Sequence, residues 1–335
     1  MIKRKNWDKK RILITGAGGF IGSHLVETLV LSGASVRGFI HYNSRGDIGL
    51  LSHLPSQILS GVEIVAGDLR DPQAIQKAVN GCQVVFHLGA LISIPYSYYH
   101  PYEVAETNFL GTMNVLIACQ EKGVERIIHT STSEVYGTAQ HVPIDESHPL
   151  RGQSPYSASK IGADKLVESF YCSYGLPVVT VRPFNTYGPR QSNRAIIPTI
   201  ITQALTQRTV SLGNVETTRD FTYIDDTVNG FLKAVEAEKD YLVGKTFNLG
   251  SGQEIKVSDL ARMIVKKMDH PIEIKIDPDR LRPPNSEVLR LLSDNSLAKK
   301  TFGWQPEIDL NDGLDRTIAW IKNHLDQYQM GSYQF

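Results

Sequence analysis

The strongest constraint on this chain lies at residues 15–22. There Thr15-Gly16-Ala17-Gly18-Gly19-Phe20-Ile21-Gly22 separates an apolar β-branched run from a helical pattern. Arg11-Ile12-Leu13-Ile14-Thr15 reads as a buried first strand, and Phe20 to Ser32 as a helix ended by Gly33. Gly16, Gly19 and Gly22 follow GxxGxxG spacing rather than GxGxxG. Either spacing lets backbone N–H groups approach a pyrophosphate at a helix N-terminus. A glycine cluster can also form an ordinary turn. Its place after a strand and before a helix assigns Gly16, Gly19, Phe20, Ile21 and Gly22 to a dinucleotide.

The next 160 or so residues support that reading through their alternating pattern. Strand patterns recur at Val36 to Ile40, Val62 to Ala66, Gln83 to His87, Arg126 to Thr130 and Val178 to Arg182. Helical patterns lie between them at Pro72 to Val79, Glu103 to Lys122 and Tyr156 to Tyr174. Alternation of this kind predicts an α/β fold, a doubly wound parallel Rossmann sheet with ligands at the carboxyl ends of its strands. Beyond Arg182 turn signals gather at Asn185 to Arg190 and Leu212 to Thr217, and proline is dense from Pro278 to Pro284. This predicts a smaller, loop-rich α/β substrate domain. We expect residues 1–183 in the cofactor domain, with 225–249 returning to it, and residues 184–224 and 250–335 in the substrate domain.

Composition excludes several alternatives. The 335 residues include 35 Lys plus Arg and 35 Asp plus Glu, so neither nucleic acid nor an anionic membrane has an electrostatic footprint here. The basic start (Lys3, Arg4, Lys5, Lys9, Lys10, Arg11) reads as a solvated tail. No apolar run is long enough to span a bilayer, and the N-terminus lacks the apolar stretch of a signal peptide. Cys82, Cys119 and Cys172 are odd in number and widely spaced, which reads as reduced core thiols of a cytoplasmic protein. The histidines show no paired ligand spacing, so no catalytic metal is expected.

The end of the second strand bears on the dinucleotide. An acid there binds a ribose 2′-hydroxyl, whereas an arginine binds a 2′-phosphate. The stretch is His41-Tyr42-Asn43-Ser44-Arg45, with no acid until Asp47. It favours NADP, with Arg45 on the phosphate, over NAD with Arg45 at the surface. Asp68 and Leu69, closing the third strand, stand where an adenine would be met.

Chemistry enters with Tyr156-Ser157-Ala158-Ser159-Lys160, a phenol and an ammonium at i and i+4 on one helix face. An adjacent ammonium favours phenolate, so the tyrosine can accept a hydroxyl proton, and the lysine can also hold the nicotinamide ribose. YxxxK alone is common by chance. Its weight comes from Ser131-Thr132-Ser133-Glu134-Val135-Tyr136-Gly137 at the carboxyl end of the preceding strand.

In order along the chain, TGxxGFIG, GDL, HLGA, STSEVYG, PYSASK, RPFNTYGPRQ, RDFTYIDD and FGW resemble the extended short-chain dehydrogenase/reductase family of nucleotide-sugar enzymes. The resemblance covers nearly the whole chain. It implies that Thr132, Tyr156 and Lys160 carry the redox step, and that Leu88 and Ala90 flank the dinucleotide. It also implies that Asn185 and Arg219 contact a substrate diphosphate, and that the chain pairs as a homodimer through the Glu103 to Lys122 and Tyr156 to Tyr174 helices.

Glu134 separates the reactions within that family. A C4-epimerase needs oxidation, rotation of the sugar and reduction, and its relatives usually have no acid here. A 4,6-dehydratase must also remove the C5 proton once C4 is a ketone, while hydroxide leaves C6. The hydride then returns to C6, so a tightly bound cofactor is regenerated in each turnover. The bland alternative for Glu134 is a strand-end acid in a salt bridge. Ser133 departs from the Asp of many hexose 4,6-dehydratases. The Ser-Glu pair is similar to GDP-mannose 4,6-dehydratases and equally to UDP-glucuronate decarboxylases. The stretch His87 to Tyr98, with STSEVYGTAQ and QSPYSASKIGADK, is similar to 4,6-dehydratases of the legionaminic-acid pathway type. Those act on nucleotide-linked N-acetylglucosamine, and the Leu91-Ile92-Ser93-Ile94 loop would line the sugar pocket. Arg190, Arg194, Arg219 and Arg282 have no obvious acidic partners and could bind a diphosphate, with Glu287 on the ribose. The expected reaction is 4,6-dehydration of UDP- or GDP-N-acetylglucosamine. UDP-glucuronate decarboxylase and C4-epimerase are the enzymatic alternatives, and a dinucleotide sensor is the non-catalytic one.

Overall fold

The computed structural model describes Trp7, Asp8 and residues 10–328. Lys3, Arg4, Lys5 and Lys9 of the basic start lie outside the described residues. Lys10 pairs with Glu125 at 2.9 Å, and Arg11 opens the first strand.

The strands are β1 Arg11–Thr15, β2 Ser35–His41, β3 Val62–Gly67, β4 Val84–His87, β5 Arg126–Thr130, β6 Val178–Pro183, β7 Asn185–Tyr187, β8 Thr209–Leu212, β9 Thr218–Tyr223, β10 Thr246–Leu249, β11 Glu254–Lys256 and β12 Glu273–Ile276. Seven form one parallel sheet in the order β3-β2-β1-β4-β5-β6-β10. Alternate residues of each central strand feed opposite cores, as a sheet buried on both faces requires. Ile12, Ile14, Phe86 and Ile128 pack with Leu25 and Phe231 from helices Phe20–Leu31 and Ile224–Glu236. Leu13, Val85 and Ile127 face the other way, onto Val79, Val115 and Val167 of helices Pro72–Val79, Gly111–Lys122 and Pro155–Tyr174.

Winding reverses between β1 and β4, which opens a crevice at their carboxyl ends. The loops there touch: a Cβ on Gly16, whose φ is +69°, would lie 2.9 Å from Gly89 Cα. After β6 the chain leaves the sheet for β7 to β9, then re-enters it through helix Ile224–Glu236 and β10. Strands β11, β9 and β7 form a second sheet, and β12 pairs with β8. The FGW segment anchors this part. Trp304 is fully buried and its Nε1–H donates to Asp226 O at 2.9 Å, while the Asp226 carboxylate accepts the Glu307 and Ile308 N–H groups.

Three expectations change. The segment read as one helix from Glu103 to Lys122 is a short helix Pro101–Ala105, a widened π turn Glu106–Leu110 and helix Gly111–Lys122. Asn185 to Tyr187, read as turn, is β7, because its backbone pairs with Phe221 to Tyr223 of β9. Cys82 and Cys119 are buried, but Cys172 is exposed on helix Pro155–Tyr174. Among the described residues no helix is long and apolar enough to cross a membrane.

Candidate active site

Thr132 stands just beyond β5 in extended conformation, and its hydroxyl accepts the Glu134 N–H at 3.2 Å. That bond caps a single 3-10 turn, Ser133–Tyr136, which Gly137 ends at φ +64°. The turn buries Ser133, Val135 and Tyr136 and leaves Glu134 half-buried. Tyr136 fixes it from below, donating to Asn248 Oδ1 at 2.7 Å and accepting from Arg182 at 2.9 Å.

Tyr156 and Lys160 come from helix Pro155–Tyr174. Its start is set by a Ser154/Ser157 capping box and a proline at the first helical position. Both side chains are buried, at 7% and 3% exposure. Burial lowers the Lys160 ammonium to about 8, opposed by the Asp164 carboxylate. The ammonium donates to Thr130 O at 2.8 Å. Tyr156 differs from expectation: burial raises its phenol, a Thr132 hydrogen bond works the other way, and the Glu134 and Asp164 charges raise it further. The phenol is therefore the neutral form here, because desolvation and the two carboxylates outweigh the Thr132 hydrogen bond.

Gly16, Gly19, Phe20, Ile21 and Gly22 line a cavity of about 580 Å³ with Leu88, Ala90, Thr132 and Tyr156. Gly19 caps helix Phe20–Leu31 without any side-chain hydrogen bond, so the first-turn N–H groups remain for an anion. The loop also has no room for side chains, since a Cβ on Gly22 would sit 2.2 Å from Gly16 O. These features fit a dinucleotide. Other assigned residues fall elsewhere. Arg45 is exposed on a turn and outside the lining, whereas His41, Asn43 and Asp47 are in it. Asn43 shapes that turn by accepting the Arg45 and Asp47 N–H groups. Asp68 is taken by Arg70 at 2.7 Å, and Leu69 packs under Gly89 and Gly111. Neither lines the cavity.

A second cavity, of about 260 Å³, adjoins the first and shares Thr186 and Gln191 with it. Glu134, Asn185, Arg194, Arg219, Arg282 and Glu287 all line it. Arg219 and Arg282 each reach the same Glu287 Oε1 at 3.5 Å, so these arginines do have an acidic neighbour. Asn185 Oδ1 is buried without a hydrogen-bond partner. Arg190 is different: it is buried, holds Glu27, and donates to His24 Nδ1 at 2.8 Å. Since arginine only donates, His24 is the Nε2–H tautomer, which donates to Pro189 O at 2.9 Å. Burial, then Arg190, hold its pKa at about 3. Arg190 thus clamps the loop to the cofactor helix and lines neither cavity. Ser93 caps helix Ile94–Tyr99 and lines neither cavity.

Two residues escape the sequence reading. Asn108, in the π turn, exchanges hydrogen bonds with Leu91 N and O and donates to Ser159 Oγ at 2.9 Å. It ties the 91–94 loop to the catalytic helix, and no periodic signal marks it. Asp164 lies four residues after Lys160, and that i+4 spacing is a readable signal.

A family model described as GDP-mannose 4,6-dehydratase matches residues 13–317. The chain is 33% identical over 320 residues to a UDP-glucose 4-epimerase of Mycolicibacterium smegmatis, covering 93% of this chain and 99% of that protein. A dTDP-glucose 4,6-dehydratase double mutant from Streptomyces venezuelae, solved with NAD and DAU bound, superposes with a TM-score of 0.84 at 27% identity, covering 95% and 98% of the two chains. A UDP-N-acetylglucosamine 4-epimerase from Methanobrevibacter ruminantium, in complex with UDP-N-acetylmuramic acid, gives 0.84 at 28% identity, covering 95% and 99%.

Proposed function

The chain belongs to the GDP-mannose 4,6-dehydratase family of NAD-dependent nucleotide-sugar dehydratases and epimerases, and from that premise we propose that it is a 4,6-dehydratase of UDP- or GDP-linked N-acetylglucosamine. The observation that carries this reading is Glu134. Its carboxylate lines the sugar-side cavity next to the Thr132–Tyr156 centre, and its charge acts on Tyr156 and Arg219 without a salt-bridge partner among the described residues.

The roles follow from position. Thr132 and Tyr156 hold the C4 hydroxyl, and Tyr156, ionised once the positive charge of a bound cofactor joins Lys160 beside it, takes its proton as a phenolate. Lys160 supports the phenol and the ribose. A bound oxidised dinucleotide would supply a hydride acceptor for C4, a hydride donor for C6 and positive charge beside the buried phenol. Glu134 removes the proton from C5 as hydroxide leaves C6. Buried Ser133 has no acidic proton to give, so Glu134 or a water serves the leaving oxygen. Asn185, Arg194, Arg219 and Arg282 supply the polar and cationic lining for a diphosphate, with Glu287 for a ribose.

For the dinucleotide we assign NAD. Asp47 lines the cavity while Arg45 does not, and NAD is present in the S. venezuelae structure. The NADP preference read from Arg45 is the alternative, and protein denatured after purification releases one or the other. We also propose a homodimer through the Glu103 to Lys122 and Tyr156 to Tyr174 segments, where Leu110, Tyr171 and Tyr174 are exposed.

The deciding experiment is Glu134→Gln with UDP- and GDP-N-acetylglucosamine. Wild type should lose water by mass spectrometry and, in heavy water, carry one deuterium at C5. The variant should oxidise C4 and stall, so nicotinamide absorbance accumulates in a single turnover. An unchanged product mass points to epimerisation, and carbon dioxide from a uronate to decarboxylation. Full dehydratase activity in Glu134→Gln removes its role.

A further inference from the structure

Asp164 has no part in the chemistry above, yet it is the most heavily bonded carboxylate near it. It is 7% exposed, one helical turn beyond Lys160. Four donors converge on it: His129 Nε2 at 3.1 Å, Ser131 Oγ at 2.8 Å, Arg182 Nε at 3.2 Å and Arg182 Nη2 at 2.8 Å. His129 lies on β5, Arg182 on β6, and Ser131 directly precedes Thr132. One side chain therefore joins the helix carrying Tyr156 and Lys160 to the strand end carrying Thr132.

Its charge matters as much as its bonds. Lys160 is a buried ammonium whose hydrogen bond goes to a neutral carbonyl, and such a group tends to shed its proton. Around it stand Tyr156 and Asp164 on its own helix, His129 on β5 and His87 on β4, with Arg182 of β6 bonded to Asp164. Burial lowers both histidines, so they add no charge. Burial would raise Asp164, but the His129 hydrogen bond and then the Arg182 charge hold it at about 2, so it stays ionised. It is the anion on this side of the lysine.

We propose that Asp164 is a positioning residue for the redox centre: its carboxylate keeps Lys160 protonated and locks the Ser131–Thr132 strand end against the catalytic helix. The proposal rests on Tyr156 and Lys160 being the redox pair, whichever sugar is the substrate.

The test follows the Lys160 side-chain carbon and nitrogen signals by NMR against pH in intact protein without substrate, assigned by Lys160→Arg. Wild type should titrate near 8. Asp164→Asn should titrate lower by about one unit or more, and Asp164→Glu should move back toward wild type. The basic limb of kcat/KM should shift with it. Asp164→Asn leaves Arg182 buried and unpaired, which can unfold the chain. The double variant Asp164→Asn, Arg182→Gln removes both charges and leaves no unpaired arginine, and its Lys160 should still titrate below wild type because the Asp164 carboxylate is what opposes burial there. A folded variant in which the Lys160 titration stays at its wild-type position overturns the proposal. So does a kcat loss equal at every pH with the basic limb unmoved. The NMR readout needs no turnover. If no nucleotide sugar is converted, the functional reading fails while the titration still reports on Asp164.

Discussion

Gly22→Ala sets two effects of opposite sign against each other. Gly22 is in the first turn of helix Phe20–Leu31, where alanine's better helix propensity adds up to about 1 kcal/mol. Against this, the new Cβ would lie 2.2 Å from Gly16 O and 3.0 Å from Ala17 Cα, both backbone atoms. Carbon–oxygen contacts sit near 3.3 Å, so roughly 1 Å must open between the loop and the helix. Gly16 O also accepts the Gly19 N–H at 3.0 Å, and a displaced carbonyl weakens that bond by about 1 kcal/mol. Overpacking adds about 1–3 kcal/mol. The clash wins by about 1–3 kcal/mol, and it falls on the N–H groups facing the pyrophosphate. Cofactor affinity should drop about 10- to 100-fold, at about 1.4 kcal/mol per decade. Calorimetric titration of stripped protein with NADH measures this, alongside thermal unfolding. Gly123→Ala is the control: its φ is +65° with nothing within 4 Å of the added Cβ, so it should cost stability but not affinity. Unchanged affinity in Gly22→Ala, with an equal or higher unfolding midpoint, would refute the loop geometry.

Tyr156→Phe keeps the ring packing and removes the group that accepts the C4 proton. Turnover should fall ~100- to 10,000-fold with substrate affinity nearly unchanged, and a variant within a few-fold of wild type excludes Tyr156 as the base. Asp164 also governs acid stability. Its carboxyl is held at about 2 against an ordinary 3.8, so its contribution is complete above about pH 4 and is lost as pH falls through 2. That shift corresponds to about 2 kcal/mol. In urea unfolding, the advantage of wild type over Asp164→Asn should narrow between pH 4 and pH 2, and a constant gap contradicts it.

Legibility tracks how locally each feature is written. The strands show as apolar runs because a sheet covered on both faces requires them, and β1 to β6 stand within a residue of their expected places. The glycine loop, Thr132, Tyr156 and Lys160 belong to short motifs whose spacing carries their geometry. Pairings between distant segments are not visible in the same way. Arg190 reads as free of acids because Glu27 lies 163 residues away, and Arg219 meets Glu287 across 68. Arg45 takes its expected role from its place after a strand, but the Asn43 side chain bends the turn so that Asp47 faces inward. The π turn at Glu106–Leu110 adds residues within a helical pattern without altering its composition, so only coordinates reveal it.

The return of β10 to the edge beside β6 affects how the protein is made. During synthesis the first six strands emerge before residues 246–249 exist, leaving β6, with its Val178, Val179 and Val181, as an open edge. Such an edge is a template for pairing with other chains. The nascent chain passes through this state for as long as residues 184–245 take to be translated. A ribosome stalled in that interval holds a sheet complete enough to collapse and still sticky, so yield in a foreign host should depend on translation speed there more than on the stability of the finished enzyme.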